Sequence, residues 1–292
     1  MIGVFGDLIF DIAVRAHGPL QIGSDVTGEI SYQGGGSAGN VATWLGHLGS
    51  SVRFAGALGK DLAGETLKME LASYGVESFL AEKDDPTGTI LLFLDDRGER
   101  TMVTSRGANL LVTPSDIPDT FFAGLSHLHL TGYSFFGSKE LATTTMDLLD
   151  RTKERNIPFS VDPSSYALLA EFGPDRFLRL IQGACLILPN LDEGKVLTGE
   201  REPDAIIGKL SDIFPCVAMT LGSEGCLVAK GDLVRHLPAN FVQALDTTGA
   251  GDAFAAGFLH AFVQGRSPWE SAQLGNETAG KCVLHYGGRP IA

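Results

Sequence analysis

The chain reads as an α/β protein built on a largely parallel sheet, and three observations carry that expectation. Short apolar runs alternate with segments of helical period, the pattern of βαβ units. With 292 residues, 44% of them hydrophobic, the chain can bury the core of one large domain or two small ones. No low-complexity stretch, internal repeat or linker interrupts it, so a single unit spanning residues 1–292 is expected.

Taken in order, Ile2–Phe5 is the first strand candidate. Asp11 to Tyr32 then reads as extended and turn-punctuated. Val41, Leu45 and Leu48 recur at i, i+4 and i+7, which predicts a helix, and Val52–Ala57 follows as a strand. Leu67, Leu71 and Tyr74 repeat the helical spacing. Thr87 to Arg106 is a second extended stretch, with Asp96-Arg97-Gly98 as a hairpin turn. Leu125–Leu130, Pro158–Val161, Cys185–Leu188 and Cys216–Leu221 are further strands. Leu141, Leu148 and Leu149 mark a helix between the first two of these, capped by Gly137-Ser138.

The chemistry concentrates in Asp246-Thr247-Thr248-Gly249-Ala250-Gly251-Asp252, which runs into the apolar, helix-compatible segment Ala253 to Phe262. Glycines at 249 and 251 permit a tight turn and let backbone amides approach a ligand. A helix N-terminus adds unpaired N–H groups and a positive dipole end, so the turn suits an anion such as phosphate. A carboxylate beside a phosphate is useful if it takes a proton. The segment therefore reads as a phosphoryl-transfer site, with Asp252 deprotonating the attacking hydroxyl and the amides holding the moving group. The competing reading is an ordinary capped helix with Asp252 as N-cap.

This segment resembles the C-terminal signature of the ribokinase (PfkB-type) family of carbohydrate and nucleoside kinases. The N-terminal signature is matched by Gly35-Gly36-Ser37-Ala38-Gly39-Asn40-Val41-Ala42, running on to Leu48-Gly49. Gly6 to Asp11, Asn190-Leu191-Asp192-Glu193, Thr220-Leu221-Gly222-Ser223-Glu224-Gly225 and Asn276 fall in the family's order, so the resemblance covers nearly the whole chain. It implies a three-layer sandwich with a mostly parallel sheet. Residues 11–32 and 87–106 would form a small discontinuous β lid. Ile12, Val14, Ile30, Leu92 and Leu94 would give that lid an apolar face, on which a homodimer is expected, the alternative being a monomer that buries the face on its own substrate cleft.

The resemblance also implies roles. Asp252 is the expected base, and the amides of Gly249, Ala250 and Gly251 form the anion hole. Asp11, Gly35, Gly36 and Asn40 match sugar-binding positions, where a carboxylate and an amide suit paired hydroxyls. Asn190 and Glu193 match the element that organises Mg²⁺ of Mg·ATP, Glu193 chiefly through water. The same pair also reads as a helix start with a capping box. Thr220, Gly222, Gly225 and Asn276 would line the ATP pocket. Asp246 and Thr248 match positions that hold K⁺ in many members, and Gly287-Gly288 is compatible with carbonyl ligands for that ion. Two features depart from ribokinase: Ser37 replaces a lysine, and Leu8-Ile9-Phe10 replaces a segment with an asparagine. Ile9 resembles adenosine-type kinases, whereas Arg106-Gly107-Ala108-Asn109 resembles ribokinase-like sugar kinases. The expected reaction is ATP-dependent phosphorylation of a primary sugar hydroxyl. A nucleoside kinase is the alternative, and a silent sugar-binding regulator a remoter one.

Other chemistries fit poorly. A formal net charge of −13 disfavours nucleic acid and anionic membranes as partners. Gly6-Asp7-Leu8 is not a dinucleotide fingerprint. Leu58-Gly59-Lys60-Asp61 imitates the end of a P-loop, but Asp61 stands where Ser or Thr is required. Cys185, Cys216, Cys226 and Cys282 sit in apolar company without a CxxC pair, as reduced cysteines of the cytoplasm do. His127 and His129 share a strand face that can grip a metal, but with no third ligand nearby they read as partly buried strand residues. No basic leader and no membrane-length apolar run is visible, so a cytoplasmic location is expected.

Overall fold

Successive side chains of the first strand point to opposite sides of a central sheet, Val4 into one apolar layer and Phe5 into another. The computed structural model describes residues 1–20, 22–94 and 100–291. Asp96-Arg97-Gly98 lies outside the described residues. In chain order the elements are β1 (Ile2–Phe5), β2 (Ile9–Ala16), β3 (Gly28–Gly35), α1 (Ser37–His47), β4 (Val52–Gly59), α2 (Leu62–Ser73), β5 (Val76–Lys83), β6 (Thr89–Leu94), β7 (Arg100–Ser105) and β8 (His127–Thr131). They continue with α3 (Lys139–Glu154), β9 (Phe159–Asp162), α4 (Tyr166–Phe172), α5 (Pro174–Leu180), β10 (Leu186–Ile187), α6 (Leu191–Thr198), α7 (Pro203–Ser211), β11 (Cys216–Thr220), β12 (Cys226–Lys230), β13 (Leu233–Leu237), α8 (Ala250–Val263) and α9 (Pro268–Cys282).

The main sheet has the order β13-β12-β11-β10-β9-β8-β1-β4-β5. It is parallel from β5 through β11 and antiparallel at the β11–β12–β13 end. Core residues of α1, α2, α8 and α9 pack on one face, and those of α3 to α7 on the other, which makes three layers. Every strand candidate from the sequence pattern falls in this sheet. The pattern missed β5, β12 and β13. β5 and β13 are the edges of the sheet and lack a continuous apolar run, the side chains of Leu233 to His236 being exposed. β12 lies inside the sheet, and its buried apolar run, Cys226 to Ala229, is only four residues long.

The two extended stretches pair into a second sheet, β3-β2-β6-β7, joined by antiparallel pairs at both edges and a parallel pair between β2 and β6. Its two faces differ. Ile12 opposite Tyr32 and Val14 opposite Ile30 form an outer apolar face, on which Ile30 is 58% and Tyr32 64% exposed. Leu92, expected on that face, pairs with Ala13 and so lies on the opposite one, where it is buried; the period of two along a strand decides this. By the same register Leu94, paired with Arg15, is also at an inner-face position.

Two sequence suspicions resolve structurally. Asp61 is the N-cap of α2, accepting from the amide of Gly64 at 2.8 Å, and its carboxylate also holds the amide and hydroxyl of Thr87. It ties the main sheet to the root of β6. His127 and His129 are fully buried and both bond the Ser160 hydroxyl, at 2.8 and 2.9 Å. Burial pushes them down to about 4 and about 3, so both are neutral core residues. Among the described residues no helix is long and apolar enough to cross a membrane, and all four cysteines are free.

Candidate active site

The carboxyl ends of β1, β8, β9, β10 and β11 all point to one edge of the main sheet, where open α/β sheets place ligands. Asp162 sits at the end of β9. Asn190 follows β10, Thr220 ends β11, and the two form a parallel bridge. The second sheet covers this edge with Ile9, Asp11, Ile90 and Thr104. Between them lies a cavity of about 660 Å³.

At its floor, α1 and α8 pack together. Gly249 is the N-cap of α8 at φ 73°, without a side-chain cap, so Asp252 is the third residue of the helix and not its cap. Its carboxylate turns across to α1 instead. Oδ1 accepts from the Ser37 hydroxyl at 2.6 Å, and Oδ2 from Asn40 Nδ2 at 2.8 Å. The capped-helix reading of this residue therefore fails. A Cβ at Gly249 would collide with the backbone of Gly288, so the turn is pressed against the C-terminal loop. The Ala250 amide donates to Thr247 O at 3.3 Å, which takes it out of the expected anion hole. Gly251 and Asp252 keep first-turn amides for which the helix itself has no acceptor.

Electrostatics mark the cavity. Burial lifts Asp252 to about 6 against the hydrogen bonds of Ser37 and Asn40 and the charge of Arg289. Burial and the charges of Glu193 and Asp252 raise Asp162 well above the carboxylate range. Burial, opposed by the Asn190 bonds and helped by Asp252, takes Glu193 to about 7. Asp11 is 6% exposed and burial raises it to about 7, with Arg289 pulling it down and Glu70 pushing it up. Its Oδ1 has no partner among the described residues, although buried oxygens seek donors. Such an oxygen is open to a donor from a ligand.

Asp11, Gly36, Asn40, Asn190, Glu193, Thr220, Thr248, Gly249, Gly251 and Asp252 therefore meet around one space. Gly35 lies just behind, its carbonyl bound to Arg289. Asn190 and Glu193 form the capping box that opens α6, so the cap reading and the cavity position hold together. Gly222, Gly225 and Asn276 do not line the cavity. Gly225 (φ 94°) is folded against Leu237–Ala239, and Asn276 Nδ2 donates to Leu237 O at 3.0 Å. Asp246 also lies outside, accepting from the amides of Thr248 and Gly287 at 2.8 and 2.9 Å. Asp162, Tyr133 and Ser37 are cavity residues the sequence reading did not assign. Asp162 follows directly on a strand candidate, which is the one signal that could have found it.

The family model for pfkB family carbohydrate kinases matches residues 1–291. The chain belongs to that family. An uncharacterized sugar kinase of Archaeoglobus fulgidus is 30% identical over 249 residues, 84% of this chain and 96% of that protein. A fructokinase of Klebsiella pneumoniae is 29% identical over 287 residues, 95% of this chain and 89% of its own length. The crystal structure of adenosine kinase from Sinorhizobium meliloti superposes with a TM-score of 0.90 at 26% identity, covering 100% of this chain and 96% of that one. This pfkB kinase thus has the ribokinase-like fold and is a phosphotransferase with an alcohol acceptor.

The carboxylate cluster has a measurable consequence. Asp162 and Glu193 titrate higher in the folded kinase than in the unfolded chain. From about pH 4 to about 7 the unfolded chain releases protons that the folded one keeps, so rising pH lowers stability through that window. Asp162→Asn removes one of the repelling charges and keeps an acceptor for the Ser164 amide. Thermal melts of the ligand-free protein should show Tm at pH 8 raised by about 2–4 °C, with the gain gone near pH 4. A lower Tm at pH 8 would contradict this account of the cluster.

Proposed function

We propose that this kinase transfers the γ-phosphoryl group of ATP to a primary hydroxyl of a small sugar, with Asp252 as base. The observation that carries the proposal is the position of Asp252. It projects from the N-terminal turn of α8 into a cavity bounded by Asp11 and Asn40 on one side and by Asn190, Glu193 and Thr220 on the other. Asp11 and Asn40 hold substrate hydroxyls, with Gly35 and Gly36 allowing close approach. The hydroxyl oxygen bonds to Pγ, its proton passes to Asp252, and the bond from Pγ to ADP breaks. The amides of Gly251 and Asp252 and the positive end of α8 face the moving group. Thr220 marks the nucleotide end of the cavity, and Gly222, Gly225 and Asn276, which lie outside it, belong to that end by the family resemblance alone.

Glu193 and Asp162 suit Mg²⁺ held largely through water. Among the described residues no three acidic, Cys or His side chains group closely enough to hold an ion directly, and the two carboxyls, raised first by burial and then by neighbouring negative charge, would favour a cation beside them. Such an ion neutralises phosphate charge. The donor set beside the anion turn suits a monovalent cation: next to the Asp246 carboxylate, the carbonyls of Thr248, Gly287 and Gly288 converge around Cys282 Sγ.

A nucleoside is the second reading, and a specific observation favours it. Ile9, Ile90 and Met102 make an apolar wall in the cavity, and Arg106 and Asn109 serve the protein itself. Arg106 is locked on both oxygens of Asp7 at 2.7 Å, and Asn109 brackets the backbone of Leu8 at 3.0 and 2.9 Å. The sugar reading is retained on the identity to a sugar kinase. The outer face of the second sheet, with Ile30 and Tyr32 uncovered, supports lid-to-lid pairing of two copies.

Three measurements test this reading. In an ADP-release screen over pentoses, hexoses, keto-deoxy acids and nucleosides, a free sugar should be turned over best; a tenfold nucleoside preference in kcat/KM would replace the sugar reading. On the best acceptor, Asp252→Asn should lower kcat by about 10²–10⁴-fold with ATP binding retained, and wild-type kcat should fall as pH drops through about 6, where the base takes up its proton. A folded variant with near-native kcat would remove the role of Asp252, whereas a wild type that turns over no acceptor would favour a silent binder.

Replacing K⁺ by a large organic cation at fixed Mg·ATP and ionic strength should depress kcat and Tm, and indifference of both would remove the ion. Sedimentation should give twice the 30.9 kDa chain mass, falling to one chain in Tyr32→Glu; a monomeric wild type would remove the lid dimer.

A further inference from the structure

Arg289 belongs to none of the motifs above, yet it is only 6% exposed and lies directly behind the substrate side of the cavity. A guanidinium that deep needs acceptors on every arm. It has them: Nη1 donates to Glu70 Oε2 on α2, Nη2 to Gly35 O at 2.8 Å, and Nε to Asn40 Oδ1 at 3.3 Å. The bond to Asn40 is the informative one. With its oxygen engaged by Arg289, the Asn40 amide must present its nitrogen in the other direction, where it donates to Asp252 Oδ2 at 2.8 Å. Without the guanidinium the amide loses the anchor on its oxygen, and its bond to Asp252 alone is left to hold its orientation. Packing leaves the group little room to move, since a Cβ at Gly34 or Gly39 would strike it.

We infer that Arg289 is a positioning residue of this kinase: a buried guanidinium that sets the Asn40 amide and through it the Asp252 carboxylate, and links both to Glu70 on the outer helix. The inference rests on the reading of Asp252 as the base. Charge acts in the same direction as geometry. Asp252 faces Asp162, Glu193, Tyr133 and Cys282, whose ionised forms would all oppose its negative charge, while Arg289 favours it. Arg289 itself faces Asp11, Glu70 and Tyr74. Removing Glu70's charge should therefore act on Asp252 and Asp11 in the opposite sense to removing Arg289.

The test uses ligand-free full-length protein with ¹³C-labelled aspartate carboxyls, titrated by NMR, the Asp252 signal being assigned by its loss in Asp252→Asn. The Asp252 midpoint should rise by about one unit in Arg289→Met and fall in Glu70→Gln. Arg289→Lys keeps the charge without the planar fork, so its midpoint should stay near wild type. On the acceptor found by screening, its kcat should still drop by about tenfold, with KM for ATP within about twofold. An unmoved midpoint in Arg289→Met overturns the inference, as does an unmoved one in Glu70→Gln should the first variant not fold. Native kcat in a folded Arg289→Lys overturns the orienting role. Failure of the wild type to phosphorylate any sugar or nucleoside overturns the kinase chemistry instead, while the carboxyl titration still decides the coupling.

Discussion

Burial of three carboxyl groups in one enclosed space is the constraint on which the cavity depends. It makes Asp252, Asp162 and Glu193 each costly to ionise, and the charge of Asp252 adds to that cost at Asp162 and Glu193. Each is held by a different device. Asp252 stands in the first turn of α8 and takes donors from Ser37 and Asn40. Glu193 is clasped by the amide and side chain of Asn190 at the start of α6. Asp162 accepts the Ser164 amide just beyond β9. What these devices leave uncompensated is a demand for positive charge, which the proposed cation would meet.

Those devices require close helix packing. α8 must approach α1 until a carboxylate on one meets a hydroxyl and an amide on the other. It also lies on α9, where Gly257 and Gly275 remove the side chains that would hold the helices apart. Gly249 against Gly288 brings the anion turn and the C-terminal loop together in the same way. The second sheet is rooted as firmly as the floor. Asp7 and Arg106 form a bidentate pair, Asn109 brackets Leu8, and Asp61 holds Thr87. From those roots, strand alternation sends Asp11 and Leu92 inward and Ile12 and Ile30 outward. One sheet thereby lines the cavity with one face and offers an apolar surface on the other.

Local pattern was enough for the fold class, the order of most core elements, the two extended stretches and the glycine turn with its carboxylate. Helical and strand periods are properties of neighbouring residues, and a turn of Gly-Ala-Gly before an apolar helix is readable without knowing what it packs on. Asp252 was legible for that reason; Asp11, Asn40, Asn190 and Glu193 were marked only by the resemblance to the family's motifs. The tertiary structure decided what lies far apart in the chain. Ser37 replaces the lysine of the related motif, and only its place opposite a residue 215 positions away shows it donating to Asp252. Asp162 became a cavity residue because the parallel strands end together. Arg289 meets Asn40 across 249 positions, and no local period or spacing carries such a contact. Chain-local physics chose the elements; burial and charge, which depend on everything packed around a group, chose their partners.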